Sequence, residues 1–222
     1  MIKAIVFDFD GLIIDTETPA YEAFRDVFEE YGVELSLEAY SQCIGTSFAV
    51  FNPFNYLDEC MGRKMDRDVV GRQVDKRHHK LLELATLRPG VIDYLAHARE
   101  LKLSIGLATS SPLSWITPYF DRFELHKYFD SITTADEVAK VKPDPELYLK
   151  SLVKLGVAGA ETIAFEDSLN GLKAAKAAGL HCVVVPNPST QHFPFENHNL
   201  MMSSMGEKAL VEVINLIEEQ GA

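Results

Sequence analysis

The chain has 222 residues, enough to bury one sizeable core with a modest insert. Hydrophobic residues make up 47% and charged residues 24%, an ordinary globular balance. The net charge of -12 argues against a general nucleic-acid or anionic-membrane partner, which needs basic patches, but leaves room for a small anion in a local pocket.

The chain opens with KAIVFDFDGLIIDTE, residues 3–17. Ala4 to Phe7 reads as a short strand buried on both faces, as in the centre of a parallel sheet. Asp8 and Asp10 follow at positions i and i+2, whose side chains point the same way on an extended backbone. Both should meet one site at the carboxyl end of that strand, where open α/β sheets bind their ligands. Gly11 lets the chain turn sharply just after them. Thr16 to Tyr31 reads as a helix, with Thr16 or Thr18 as its cap, Pro19 in its first turn and Gly32 at its end. Further helices are predicted over Leu37 to Cys43, Pro53 to Met61 and Asp66 to Leu84, with a loop at Gly45-Thr46-Ser47 and a turn at Gly62-Arg63-Lys64. No strand is predicted from Thr16 to Thr86.

Arg88-Pro89-Gly90 marks a boundary, and strands and helices alternate beyond it. Val91 to Leu101 is a helix. The strand Ser104 to Ala108 ends in Thr109-Ser110-Ser111-Pro112, and a helix over Leu113 to Phe123 follows. Ser131 to Thr134 is a short strand. Asp144-Pro145 opens a helix that Gly156 stops. The strand Thr162 to Phe165 ends in Glu166-Asp167, and Ser168 caps a helix closed by Gly179. His181 to Val185 is the last clear strand, Pro186 to Ser204 a long polar loop, and Met205 to Glu219 a final amphipathic helix.

This alternation predicts an α/β fold, a Rossmann-like parallel sheet with helices on both faces. The first strand must join that sheet, because it cannot be stable alone. Residues 1–15 and 87–222 then form the core domain, and residues 16–86 an inserted all-α cap domain. Both ends of the insert leave the core beside Asp8 and Asp10, where a lid would hinge. Cys43, Cys60 and Cys182 are odd in number and widely spaced, so free thiols in a reducing cytoplasm are expected. Asp8 and Asp10 interrupt the first apolar run, which is unlike a signal peptide, and no stretch approaches the ~20 apolar residues that span a bilayer. Length and composition allow a monomer.

Four polar clusters follow strands or lie in loops nearby: Asp8-Phe9-Asp10, Thr109-Ser110, Lys142-Pro143 and Glu166-Asp167. Asp8, Asp10, Glu166 and Asp167 cannot all sit at one edge charged without a cation, and oxygen-only ligands suit Mg²⁺. A metal, a lysine and hydroxyl or amide donors make an oxyanion clamp that fits a phosphoryl group.

With DFDGLIIDTE, LATSS at 107–111, KVKPDPELY at 140–148 and FEDSLNG at 165–171 in that order, the whole chain resembles the haloacid dehalogenase-like (HAD) superfamily. Within it the chain is similar to the subgroup with a small helical cap that holds β-phosphoglucomutase and many sugar-phosphate phosphatases. The resemblance implies a nucleophilic role for Asp8 through an aspartyl-phosphate, and acid/base work for Asp10. It implies Mg²⁺ on Asp8, Asp167 and the main-chain carbonyl of Asp10, with Glu166 holding the metal or its water. Thr109 and the Ser110 amide would grip phosphoryl oxygens, Gly11 and Ser111 would border the substrate, and Lys142 would neutralise charge. An acid two residues after the nucleophile fits phosphoryl transfer, not dehalogenation. To assist the leaving group Asp10 must hold a proton, so its pKa should be raised by neighbouring carboxylates and burial.

Several residues carry two readings. Lys140 rivals Lys142, Ser111 could equally cap the next helix, and Thr109 could do so as well as bind. The basic run Arg72, Lys76, Arg77, His78, His79 and Lys80 suits either an exposed helix face or a substrate contact. Phe48, Phe51, Phe54 and Tyr56 suit cap core better than a substrate wall. Where the mutase pattern has a histidine, this chain has Glu17-Thr18-Pro19-Ala20, and its Gly45-Thr46-Ser47-Phe48 loop lacks the arginine that holds a second phosphate. The expected activity is therefore Mg²⁺-dependent hydrolysis of a small phosphorylated metabolite, a sugar phosphate first. A hexose-phosphate mutase and a catalytically silent Mg²⁺-dependent binding protein are the alternatives.

Overall fold

The computed structural model describes residues 1–44 and 51–220. The predicted loop at Gly45-Thr46-Ser47, and Phe48, lie outside the described residues. Among the described residues the strands are β1 (Ala4–Phe7), β2 (Ser104–Ala108), β3 (Ser131–Thr133), β4 (Thr162–Glu166), β5 (His181–Val184) and β6 (Leu200–Met201). They form one parallel sheet in the order β3-β2-β1-β4-β5-β6. β1 is central, with Phe7 opposite Leu107 on one side and Phe165 on the other. Every residue of β1 is buried, which is why its sequence is a continuous apolar run rather than an alternation.

Helices α1 (Glu17–Glu30), α2 (Leu37–Ser41), α3 (Pro53–Met61) and α4 (Arg67–Leu82) come before the second strand. After them come α5 (Val91–Glu100), α6 (Leu113–Arg122), α7 (Glu146–Leu155), α8 (Leu169–Ala177) and α9 (Leu210–Gln220). The period-2 pleat of the strands sorts the core into two faces. Ile5, Phe7, Leu107, Phe165 and Val183 pack against α5, α6 and α9 through residues such as Leu95, Phe120 and Val213. Val6, Ala108, Ala164, Cys182 and Val184 pack against α7 and α8 through Tyr148, Leu152, Leu172 and Ala175. A third cluster belongs to α1–α4: Phe24, Val27, Phe28, Leu57, Val70 and Val74. Phe51, Phe54 and Tyr56 pack against it, so their use is as core.

Several predicted boundaries differ. Neither Thr16 nor Thr18 caps α1 with its side chain. The Asp15 carboxylate accepts from the Thr18 N–H at 3.0 Å instead, freeing the Thr16 hydroxyl for Asp10. The loop predicted over Pro186 to Ser204 contains the edge strand β6, and the last helix begins at Leu210 rather than Met205. Asp144 accepts from the Glu146 N–H at 3.1 Å, and α7 starts at Glu146 with Pro145 before it.

The two connections between α1–α4 and the sheet run side by side. Ile14 and Leu87 form an antiparallel bridge, and the Arg88 N–H donates to Ile13 O at 2.9 Å. The Arg88 guanidinium then donates to three carbonyls: Gly11 at 2.5 Å, Pro186 at 2.6 Å and Val185 at 3.0 Å.

Candidate active site

β1 is followed in sequence by β2 on one flank and later joined by β4 on the other, so the carboxyl end of β1 is where the winding of the sheet reverses. Open α/β sheets bind ligands at that point. Asp8 leaves the end of β1, its N–H bonded to Phe165 O at 3.1 Å. Thr109 leaves β2, its N–H bonded to Thr133 O at 3.0 Å. Glu166 ends β4 and Asp167 follows it. All four are buried.

Lys142 closes this group from the loop before α7. Its ammonium donates to Asp8 Oδ1 at 2.6 Å and reaches Glu166 Oε1 at 2.7 Å. Its rival Lys140 is exposed. Burial alone would push the ammonium toward neutrality, but the carboxylates of Asp8 and Glu166 outweigh it and raise its pKa above the ordinary lysine value. Tyr148 on α7 donates its hydroxyl to Glu166 Oε1 at 2.5 Å. Burial, against the pull of Lys142, raises the pKa of Glu166. Burial followed by the charges of Asp8, Glu166 and Glu17 raises that of Asp167 well above the carboxylate range, with Arg88 opposing.

Asp8, Glu166 and Asp167 each offer a carboxylate oxygen within 4.8 Å of the others. Three buried carboxylates facing one ammonium are short of positive charge, and the donor set is all oxygen. The residues present therefore fit a hard divalent cation. Asn187 steadies this cluster: its Nδ2 donates to Asp167 Oδ2 at 2.7 Å, while its Oδ1 accepts from the Ser189 and Thr190 amides. Gly11 is required here. It has φ +76°, and a Cβ on it would overlap the Asp167 carboxylate.

Asp10 faces elsewhere. Its Oδ1 accepts from the Trp115 indole N–H at 2.7 Å and the Thr16 hydroxyl at 3.0 Å, and its Oδ2 accepts from the Ser111 hydroxyl at 2.6 Å. Its pKa is raised, chiefly by burial, with Asp8 adding and the three hydrogen bonds opposing. Ser111 is thus not a helix cap; the Leu113 N–H at the start of α6 donates to Asp136 instead. Thr109 Oγ1 accepts from the Ser111 N–H at 3.1 Å and shapes the loop. Asp8, Asp10, Thr109, Ser110, Ser111, Lys142 and Asp167 all border one cavity of about 390 Å³. Glu166 lies behind it, and Gly11 lies beneath Asp167.

The opposite wall comes from α1, α4 and the end of α2: Glu17, Ala20, Tyr40, Cys43, Ile44 and His78. Burial, then Asp10, Asp15 and Asp8, pushes the Glu17 carboxyl up to about 8. Burial also lowers the pKa of His78, and its buried Nε2 has no hydrogen-bond partner among the described residues. The rest of the basic run divides as a helix should. Arg72, Lys76, His79 and Lys80 are exposed, and Arg77 pairs with Glu30. Sequence reasoning missed Trp115, Asn187, Tyr148 and Arg88. Only Tyr148 lay within a motif that could have flagged it.

Fold and site together define an α/β protein with a buried carboxylate cluster that fits a cation and a Thr109-Ser110-Ser111 loop beside it, at the reversal point of its sheet. The model of the haloacid dehalogenase-like hydrolases matches residues 5–185, and the chain belongs to that family. It is 45% identical to YhcW of Bacillus subtilis (strain 168), provisionally named a phosphatase, over 99% of this chain and 100% of that one. It is 34% identical to hexitol phosphatase B of Escherichia coli O157:H7, over 93% of this chain and 94% of that one. The crystal structure of CbbY from Rhodobacter sphaeroides in complex with phosphate is similar, with a TM-score of 0.70 and 30% identity over 93% of this chain and 96% of that one. Among the described residues, no helix is long and apolar enough to cross a membrane.

Proposed function

We propose that the chain is a Mg²⁺-dependent phosphatase of a small polyol or sugar monophosphate that works through an aspartyl-phosphate on Asp8. One observation carries this reading: two aspartates two residues apart face different partners. Asp8 lies against Lys142 at 2.6 Å within the carboxylate cluster, and Asp10 is held apart by three hydrogen-bond donors. Such a division suits a nucleophile and a separate acid/base group.

Asp8, Asp167 and the main-chain carbonyl of Asp10 would hold Mg²⁺, with Glu166 behind them. When bound, the ion lowers the repulsion between the Asp8 carboxylate and an incoming phosphate. Lys142 supplies the other positive charge, and Thr109 with the Ser110 amide grips the phosphoryl oxygens. Asp8 Oδ attacks phosphorus while the bond to the leaving oxygen breaks, and Asp10 gives that oxygen its proton. Asp10 then takes a proton from the water that opens the aspartyl-phosphate and releases phosphate. Residues 16–86 act as the cap domain over the core of residues 1–15 and 87–222.

The cavity wall supports a single phosphate. Lys142 is committed to Asp8 and Glu166, burial disfavours the charged form of His78, and the described residues that border the cavity include no other Lys or Arg. The named relatives support a polyol or sugar. Asp8→Asn should abolish phosphate release from hexitol and hexose monophosphates in Mg²⁺, and a chelator should do the same to the parent. Turnover retained in Asp8→Asn refutes the covalent route. Isomerised sugar phosphate on addition of a sugar bisphosphate would favour a mutase instead.

A further inference from the structure

The three donors to Asp10 are not equivalent. The hydroxyls of Thr16 and Ser111 rotate and can donate or accept, whereas an indole N–H only donates. Trp115 lies in the first turn of α6, so its ring is carried by the helix that follows the Thr109-Ser110-Ser111 loop. Two neighbours hold that ring in place. Tyr119, one turn on, meets it edge-to-face at 6.0 Å, and His78 of α4 lies across it at 6.2 Å. The N–H ends 2.7 Å from Asp10 Oδ1.

We propose that Trp115 is the positioning residue of the acid/base group: its indole N–H fixes the Asp10 carboxyl at the cavity wall and keeps Oδ1 an acceptor. This rests on the phosphatase reading, in which Asp10 protonates the leaving oxygen. With Oδ1 engaged by a group that cannot accept, Oδ2 is the oxygen free to carry the transferable proton. Its neighbour there is the Ser111 hydroxyl at 2.6 Å, which can turn to accept. The proton passes from Oδ2 to the leaving alkoxide as the P–O bond breaks, and no other co-reactant is needed. The His78 contact ties the geometry to the helical layer, so the acid is best placed when α4 lies over the site.

A leaving group that departs as a stable anion has little need of that proton. Trp115→Phe keeps a ring and removes the donor. Its kcat/KM for a hexitol monophosphate should fall about tenfold to a hundredfold, while that for 4-nitrophenyl phosphate falls less than about threefold. A merely structural ring would lower both alike. An equal fall, or none on the hexitol phosphate, overturns the proposal.

Trp115 is the chain's only tryptophan, so biosynthetic replacement of tryptophan by β-(3-benzothienyl)alanine changes this site alone. That analogue matches the indole in shape and lacks the N–H, so it tests the same split if the phenylalanine variant melts early. The same leaving-group split is expected, and its absence in this isosteric protein also overturns the proposal. Asp8→Asn run beside these variants separates the two ideas. If it turns over either substrate the covalent route through Asp8 fails, whereas an inert Asp8→Asn with no split at Trp115 removes only the positioning role.

Discussion

Lys142 shows how much rests on one charge. It lies between Asp8 and Glu166 with its side chain almost wholly buried, so removing it leaves carboxylates in a dry site with no counter-ion. Lys142→Met should cost about 3 kcal/mol of stability in chelator, read from urea unfolding, and lower phosphate release by at least about a hundredfold. Glu17 makes the complementary case. Its carboxyl titrates near 4.5 in an open chain and is pushed up to about 8 in the fold. The folded chain therefore keeps a proton that the unfolded chain has released. That contribution is complete below about pH 4.5 and is lost as pH rises toward 8. In chelator, Glu17→Gln should lose less stability than the parent between about pH 5 and pH 8, by an amount of the order of 2 kcal/mol. Parallel stability curves would remove this assignment. At this scale the sequence was legible wherever a residue followed a strand directly, as Asp8, Thr109 and Asp167 do. Trp115 and Asn187 were not, because their partners lie 105 and 20 residues away and nothing local marks the contact.

The elements were legible to the extent that they are regular. A strand buried on both faces has to be a continuous apolar run, and β1, β2 and β4 could be read as such. β6 has two residues, Leu200–Met201, too few to display a period, and it pairs in the sheet only because β5 offers an edge. The start of α1 shows a different limit. Thr16 and Thr18 are the caps the sequence suggests, yet the Thr18 N–H is taken by Asp15 and the Thr16 hydroxyl is drawn to Asp10. The start of α8 carries a testable constraint. Ser168 accepts the Gly171 N–H at 3.0 Å, which brings Gly171 so close to Glu166 that a Cβ there would overlap its carboxylate. Gly171→Ala should therefore displace Glu166 from Lys142, costing about 1–3 kcal/mol. Activity should fall further than the loss of stability accounts for. A variant that is stable and fully active would mean that α8 can shift without moving Glu166.

Across the whole molecule, the feature that joins helical layer, the turn after Asp10 and sheet is Arg88. It stands just after the second connection, beside the Ile14–Leu87 bridge, and among the described residues it is not paired with a carboxylate. Its guanidinium instead gathers the carbonyls of Gly11, Val185 and Pro186, from the turn after Asp10 and the end of β5. A planar fork with five donors can serve three acceptors at once, which a lysine ammonium on a flexible stem does less well. If residues 16–86 move over the site as a cap, Arg88 decides how firmly the second connection is anchored to the turn that positions Asp10. Arg88→Met leaves three carbonyls without their charged partner and should cost about 2–4 kcal/mol. The kinetic signature distinguishes an anchor from a plain stabiliser. Loss of a hinge anchor should change kcat and KM together on a hexitol monophosphate, with Arg88→Lys recovering part of both. If Arg88→Met is merely less stable and keeps both constants, cap movement and catalytic turn are independent, and the coupling has to lie with the His78–Trp115 contact instead.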